Sequence, residues 1–186
     1  MEKNLGGEIF IMSHPAQQNY IESVKNIFPN YFNRKQVLEV GSLNINGTVR
    51  DFFTDCYYIG IDVAAGKDVD VVCEGQDYNA PSDSFDVTIS CECFEHNPQW
   101  VKTFANMYRI TRPGGIVIMT CATTGRPEHG TTRTTPQDSP LTIGLGWDYY
   151  KNLTEQDFRN NFSIEGMFTN FQFSVGGTDL YFYGVK

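Results

Sequence analysis

No apolar run in this 186-residue chain approaches the roughly 18 residues a bilayer-spanning helix needs, so no membrane span is expected. The N-terminus carries no basic segment followed by a long apolar stretch, and a secretory leader is not expected either. A soluble protein with cytoplasmic localisation is the expectation. Positive charge is scarce: 14 Lys and Arg stand against 22 Asp and Glu, a net charge of −8. The basic residues do not cluster, whereas a groove that tracks phosphates draws on clustered Lys and Arg; no nucleic-acid partner is expected. Cysteines are five, an odd number, at Cys56, Cys73, Cys91, Cys93 and Cys121. The Cys91-x-Cys93 pair has the spacing of neither a zinc knuckle nor a thioredoxin-like motif, so no metal or redox role is expected, and reduced thiols acting as small apolar side chains remain. Also missing is a G-x-G-x-x-G turn, which would bring backbone against a pyrophosphate at a helix N-terminus. That disfavours a nucleotide-dependent oxidoreductase. No repeat, linker or low-complexity segment divides the chain, and its length suits one domain over residues 1–186.

What is present centres on Gln36 to Asp62. Gln36-Val37-Leu38-Glu39-Val40-Gly41 reads as a strand ending in a glycine turn. A polar loop, a short amphipathic helix over Thr48 to Phe53, and a second strand ending at Asp62 follow. Glu39 and Asp62 should both stand at the carboxyl edge of a parallel sheet, where ligands bind. A carboxylate at the second strand's tip suits the two hydroxyls of a ribose, which need a bidentate acceptor.

The remaining segments fill out the fold. An apolar patch, Ile9 to Met12, is expected as an arm over the domain, and Ser13-His14-Pro15 opens a helix to about Phe28 with Ser13 as cap and a solvent-facing His14. Val69 to Cys73, Phe85 to Cys91 and Gly115 to Cys121 read as strands, and Pro98 to Thr111 as a helix broken by Arg112-Pro113-Gly114-Gly115. Residues 122–152 form a long loop, and a loop of that length is usually functional or disordered. Thr154-Glu155-Gln156-Asp157 resembles a capping box, opening a helix to about Phe162. Ile164 to Val175 and Asp179 to Val185 read as a hairpin joined at Gly176-Gly177. The expected architecture is α/β: a doubly wound, mostly parallel seven-stranded sheet with an antiparallel C-terminal hairpin and right-handed crossovers.

Over Gln36 to Cys121 the chain resembles the class I S-adenosylmethionine-dependent methyltransferases, in particular their type 11 branch. The likeness rests on Val37-Leu38-Glu39-Val40-Gly41, Gly60-Ile61-Asp62, Ser84-Phe85-Asp86-Val87, Glu92-Cys93-Phe94-Glu95-His96 and Arg112-Pro113-Gly114-Gly115, in that order. It implies S-adenosylmethionine as cofactor and S-adenosylhomocysteine as product. By that resemblance Glu39, Gly41 and Ser42 approach the amino-acid part of the cofactor, Asp62 holds the ribose, and Val63 lies beside the adenine. Asp77 meets the adenine amino group with Gln76 and Tyr78 flanking, and Cys91 and Glu92 pass the methionine moiety. One departure stands out: the loop Ser42-Leu43-Asn44-Ile45-Asn46 holds no second glycine before Gly47, and the turn remains feasible because Asn44 or Asn46 can adopt a positive φ more readily than most residues.

The acceptor side is read from the residues alone. Transfer from an activated donor depends mainly on alignment, and a hydroxyl acceptor must also shed a proton, for which His is suited at neutral pH. His129, in the long loop, and His96, just past the fourth strand, are the candidate catalytic residues. Arg126 and Arg133 are candidate grips for an acceptor oxyanion. Trp147 and Tyr149, with Tyr150, are candidates for an apolar pocket wall. Leu141 to Trp147 is apolar enough to pack a neighbouring subunit, so a homodimer is allowed and the oligomeric state stays open. The expected activity is O- or N-methylation of a small molecule, such as a sugar or other metabolite. A non-catalytic domain that binds the cofactor or a partner is the rival expectation.

Overall fold

In a computed structural model of the protein, described over residues 15–186, the parallel strands begin at Gln36 as the pattern predicts. Strands β1 (Gln36–Val40), β2 (Tyr57–Asp62), β3 (Val71–Val72), β4 (Phe85–Cys91) and β5 (Thr111–Ala122) precede the antiparallel pair β6 (Asn170–Gly176) and β7 (Asp179–Val185). They form one seven-stranded sheet in the order β3-β2-β1-β4-β5-β7-β6. The pairs β1/β2, β1/β4, β2/β3 and β4/β5 are parallel, and β7 runs antiparallel to both β5 and β6. The strand order reverses between β1 and β4, which opens a crevice beyond their carboxyl ends. The expected arm over Ile9 to Met12, the Ser13 cap and His14 lie outside the described residues.

β4 is buried along its whole length, Asp86, Thr88 and Ser90 included, because both faces of the sheet are covered, and the near-continuous apolar run of β5 from Gly115 to Cys121 is buried for the same reason. One face packs α1 (Pro15–Ile27) through Ile21 and Val24 against Val37, Val87, Ile89, Ile116 and Ile118. The other carries α2 (Trp100–Ile110) and α4 (Glu155–Asn161), with Phe104, Met107 and Phe158 meeting Leu38, Val117, Met119 and Phe182. Phe104 touches the rings of Phe94, Phe158, Phe162, Phe168 and Phe182 and is the hub of that layer. Burial of several such rings, each a large apolar surface, drives the packing.

Four expectations shift. The helix expected over Thr48 to Phe53 is a single 3₁₀ turn, Arg50–Phe52, because the segment spans barely one turn and turns its aromatics into the core: Phe53 stacks on Phe32 at 4.6 Å. The third strand shrinks to Val71–Val72, both exposed at the sheet edge. The stretch Ile164 to Val175 begins as a helical turn, α5 (Ile164–Met167), before β6. Helix α2 ends at Ile110, before Arg112 to Gly115, as expected, but the fifth strand starts at Thr111 and not at Gly115: the break is absorbed into β5 as an irregularity where the register against β4 shifts between Phe85 and Val87. The capping box is present as read: Thr154 and Asp157 bond each other's backbone N–H.

The segment after β5 is tied down over the carboxyl edge. It contains α3 (Pro140–Gly144) and is held by Asp148, which accepts from the Thr132 N–H (2.8 Å) and hydroxyl (2.6 Å). Its exit is fixed by Lys151 N–H donating to the Glu95 carbonyl (2.9 Å) and Leu153 N–H to the Ala122 carbonyl (2.9 Å).

Candidate functional site

Gly41 ends β1 at φ +80°, and a Cβ there would lie 2.6 Å from the Cys93 Cβ, so the tight turn beside the crevice needs glycine. The turn sends Ser42, Leu43, Ile45 and Asn46 along a hollow that also receives Glu39, Cys91 and Glu92, with Gln17 of α1 as part of the wall. The adjoining hollow is lined by Leu43, Asp62, Glu92, Cys93 and His96 from the sheet side, and by Ser139, Leu141 and Thr142 from the segment that folds over it. A third compartment holds Asp62, Val63, Cys73, Gly75, Thr142 and Trp147. The three share Gly41, and Asp62 links the last two.

Asp62 is held by its own turn: Oδ2 accepts from the Leu43 N–H (3.0 Å) and Oδ1 from the Val63 N–H (2.7 Å). A carboxylate has about four lone-pair sites, so each oxygen keeps one for a further donor. Burial raises the Asp62 pKa, and the two backbone donors act against that rise. Glu39 is more deeply placed. Burial pushes it to about 7, opposed by the Tyr58 hydroxyl, which donates to Oε2 at 2.9 Å, and by the Arg50 guanidinium. Arg50 stacks over the Tyr58 ring at 4.6 Å and pairs with Asp70. The Ser42 hydroxyl is buried with no hydrogen-bond partner, and Glu92 adopts the left-handed conformation, φ +50°, while accepting from the Thr120 hydroxyl at 2.8 Å. Such backbone costs of order 1–3 kcal/mol and clusters at functional sites.

His96 and His129 come together from segments far apart in sequence. Their rings meet edge to face at 4.9 Å, and Tyr150 packs on both at 5.5 and 4.9 Å. His96 faces the hollow with Asp62. His129 stands behind it, in a recess with Arg126, Pro127, Glu128 and Asp138. Burial, then the neighbouring His129 and Arg126, hold the His96 pKa down to about 3, and burial lowers that of His129 too. Both rings are therefore neutral at pH 7. A group that weak is a poor general base.

The structure redistributes other expected contacts. Asp77 is exposed, Gln76 bonds Glu74 and accepts from the Thr103 hydroxyl, and Tyr78 packs beside Phe85 in the core. None of the three lines the compartment next to Asp62, because the 3₁₀ turn Gly75–Asp77 packs on α2 and turns these side chains away; Cys73 and Gly75 line it instead. Arg126 is buried in an ion pair with Asp179 (3.0 Å), and Arg133 pairs with Glu128 and Asp148 at the surface, so both guanidinium groups serve the loop's own structure. Tyr149 is half-buried and lines none of the three compartments, whereas Trp147 does. Leu141 likewise faces inward, toward the crevice. Gln17, Ser139 and Thr142 carried no signal in the sequence, since only long-range folding brings them to the edge.

Comparison with known proteins bears on the fold. A family model described as a methyltransferase domain matches residues 47–119, less than half of the chain. No curated sequence matches it. The fold is similar to that of Burkholderia thailandensis 1,6-didemethyltoxoflavin-N1-methyltransferase, solved with 1,6-didemethyltoxoflavin and S-adenosylhomocysteine (TM-score 0.61, 13% identity, 91% of this chain and 77% of that one). It is also similar to Haemonchus contortus phosphoethanolamine N-methyltransferase 2 in complex with S-adenosyl-L-methionine (0.59, 19%, 90% and 40%). A third likeness is to a SAM-dependent methyltransferase from Archaeoglobus fulgidus (0.58, 11%, 91% and 94%). The chain thus spans two fifths of the length of the nematode enzyme and nearly all of the archaeal one. Its fold is that of the class I S-adenosylmethionine-dependent methyltransferases.

Proposed function

We propose that this chain, which has the class I methyltransferase fold, is an S-adenosylmethionine-dependent methyltransferase acting on the oxygen or nitrogen of a small molecule. The observation that carries the reading is the crevice at the β1/β4 reversal. There a tethered strand-tip carboxylate, a buried carboxylate and an orphaned serine hydroxyl stand around one glycine turn. The donor set fits the cofactor: Asp62 has one free lone pair on each oxygen for a pair of ribose hydroxyls, and Glu39 and Ser42 offer acceptors to an ammonium group. Val63 and Trp147 supply an apolar compartment for a ring beyond Asp62. When bound, the cofactor supplies a methyl group already activated on a sulfonium.

The chain's own task is then to bind, align and exclude water. Orientation of this kind supplies roughly 7–11 kcal/mol, against roughly 3–6 kcal/mol for a positioned base. Leu141 and Thr142 close the crevice from above, and His96, with Glu92 and Ser139, is among the polar groups facing the space next to Asp62. We place the acceptor there, with His96 and His129 as a neutral imidazole pair that positions it. Trp147 joins the cofactor compartment, Arg126 and Arg133 anchor the overhanging segment, and Tyr149 has no assigned contact.

The test is mass spectrometry of small molecules that co-purify, followed by incubation with isotopically methyl-labelled S-adenosylmethionine and a panel of hydroxylated and amino metabolites. The reading predicts bound S-adenosyl ligand and labelled product from at least one acceptor class. Ligand without turnover on any acceptor supports a binding-only domain. Neither ligand nor turnover overturns the reading.

A further inference from the structure

Glu95, His96 and His129 are the one group among the described residues in which three metal-competent side chains bring their ligand atoms within 4.8 Å of one another, all three buried. Ordinary packing does not account for their polar atoms. The Glu95 Oε2 and both ring nitrogens of His96 are buried with no hydrogen-bond partner, and His96 is only 2% exposed. Leaving such atoms unpaired costs about 1–3 kcal/mol each. A cation that takes one lone pair from Glu95 and one from His96 would remove most of that cost, leaving only the protonated His96 nitrogen unpaired.

The surroundings are arranged as metal sites are. His129 Nδ1 lies 3.1 Å from the Pro127 carbonyl, so that nitrogen carries the proton and donates, leaving the Nε2 lone pair available. A ligating imidazole held through its other nitrogen by a backbone carbonyl is the usual outer-sphere arrangement. The second oxygen of Glu95, Oε1, accepts from the Ala122 N–H at 3.3 Å, which fixes the carboxylate at the end of β5. The turn Phe94–His96 supplies two of the groups and the overhanging segment the third, and that segment is itself bonded to the turn by Lys151 N–H on the Glu95 carbonyl. Nearby charge is balanced, since Arg126 is matched by Asp179 and Glu92 lines the adjoining hollow.

We propose that Glu95, His96 and His129 form a binding site for a divalent transition-metal cation at the acceptor end of the crevice. Two imidazoles and one carboxylate suit zinc, manganese, cobalt or iron, and not calcium or magnesium, which prefer oxygen alone. Bond lengths of 2.0–2.2 Å require ligand atoms roughly 3.3 Å apart in a tetrahedral set, so the three close by up to about 1.5 Å on binding. Three protein ligands leave an open position, the pattern of catalytic and not structural sites. His96 faces the hollow, and the open position is therefore directed to the acceptor. A hydroxyl bound there would give up its proton to solvent more readily. This last role rests on the methyltransferase reading; the binding of metal does not.

The experiment titrates chelator-treated protein with Zn²⁺ and Mn²⁺ by calorimetry and records the visible spectrum after adding Co²⁺. The proposal predicts one-to-one binding and a cobalt d–d spectrum without thiolate charge-transfer bands, which excludes the cysteines. It also predicts affinity at least tenfold weaker in His129→Ala and in Glu95→Gln, the low end of what losing even an outer-sphere partner costs. S-adenosylhomocysteine affinity, measured on the same samples, reports folding and tests the methyltransferase reading separately. No metal binding by the unaltered protein, a cobalt spectrum dominated by thiolate bands, or unchanged metal affinity in both variants that still bind S-adenosylhomocysteine each overturns the proposal.

Discussion

Glu39 illustrates how a single residue's position sets its chemistry. It is the fourth residue of β1, in a strand otherwise apolar after Gln36, and its burial raises its pKa from the ordinary 4.5 to about 7, opposed by the Tyr58 hydroxyl. A carboxyl raised on folding stabilises the folded state fully below about pH 4.5, and that contribution is lost as pH rises through about 7. At 1.36 kcal/mol per unit, the loss attributable to Glu39 is at most about 3 kcal/mol. Glu95 is raised in the same direction. His96 and His129, whose pKa values burial lowers, contribute with the opposite sign below about pH 6.5 in the unaltered protein and in Glu39→Gln alike, so the Glu39 part is read as the difference between the two. By chemical denaturation at a series of pH values, the unfolding free energy of the unaltered protein relative to Glu39→Gln should fall by up to about 3 kcal/mol between pH 4.5 and 8. A difference that does not change with pH would place Glu39 in contact with solvent. The same residue shows what sequence reading can reach: a charged side chain four residues into an apolar strand, followed by glycine, signals a site acid without its partners. Asp62 was readable for a similar reason. The partners, Tyr58 for Glu39 and Leu43 and Val63 for Asp62, follow from pairing geometry that only the folded sheet displays.

Among the elements, the turn between β1 and the following loop is the one whose local conformation the crevice depends on. Gly41→Ala would force a Cβ into a left-handed backbone against Cys93, costing roughly 1–3 kcal/mol. A thermal-melt comparison should show a drop of roughly 2–12 °C at the 2–4 °C per kcal/mol expected for this size. A melt within a degree of the unaltered protein would mean that Cys93 and the turn shift at no cost. Elements with a full period of pattern emerged as read: β4 over Phe85–Cys91, α2 within Pro98 to Thr111, and the Thr154 capping box. The short ones did not, since Arg50–Phe52 and Ile164–Met167 hold a turn or so each and take their conformation from packing of Phe53, Ile164 and Phe168 on the core. Asp77 and Tyr78, expected beside the adenine, do not line the compartment next to Asp62 for a related reason: they end and follow a 3₁₀ turn whose orientation is set by α2, with Asn106 donating to the Gly75 and Tyr78 carbonyls.

At the scale of the whole molecule, function follows from one topological event and one overhang. The reversal of strand order between β1 and β4 places Gly41, Asp62 and Glu92 around a single crevice. The segment after β5 then folds back to add Ser139, Leu141, Thr142 and Trp147 and to bring His129 against His96. The first was readable from the spacing of strands and acids. The second was not, because His96 and His129 lie 33 positions apart, joined across a helix and a strand by contacts that no local pattern encodes. The central claim is that the crevice holds an S-adenosyl ligand through Asp62. Calorimetric titration of the unaltered protein and of Asp62→Asn with S-adenosylhomocysteine tests it most directly. The account predicts one-to-one binding, weakened at least tenfold in the variant, a loss of about 1.4 kcal/mol or more; equal affinity in the two proteins, or no binding by the unaltered one, would contradict it.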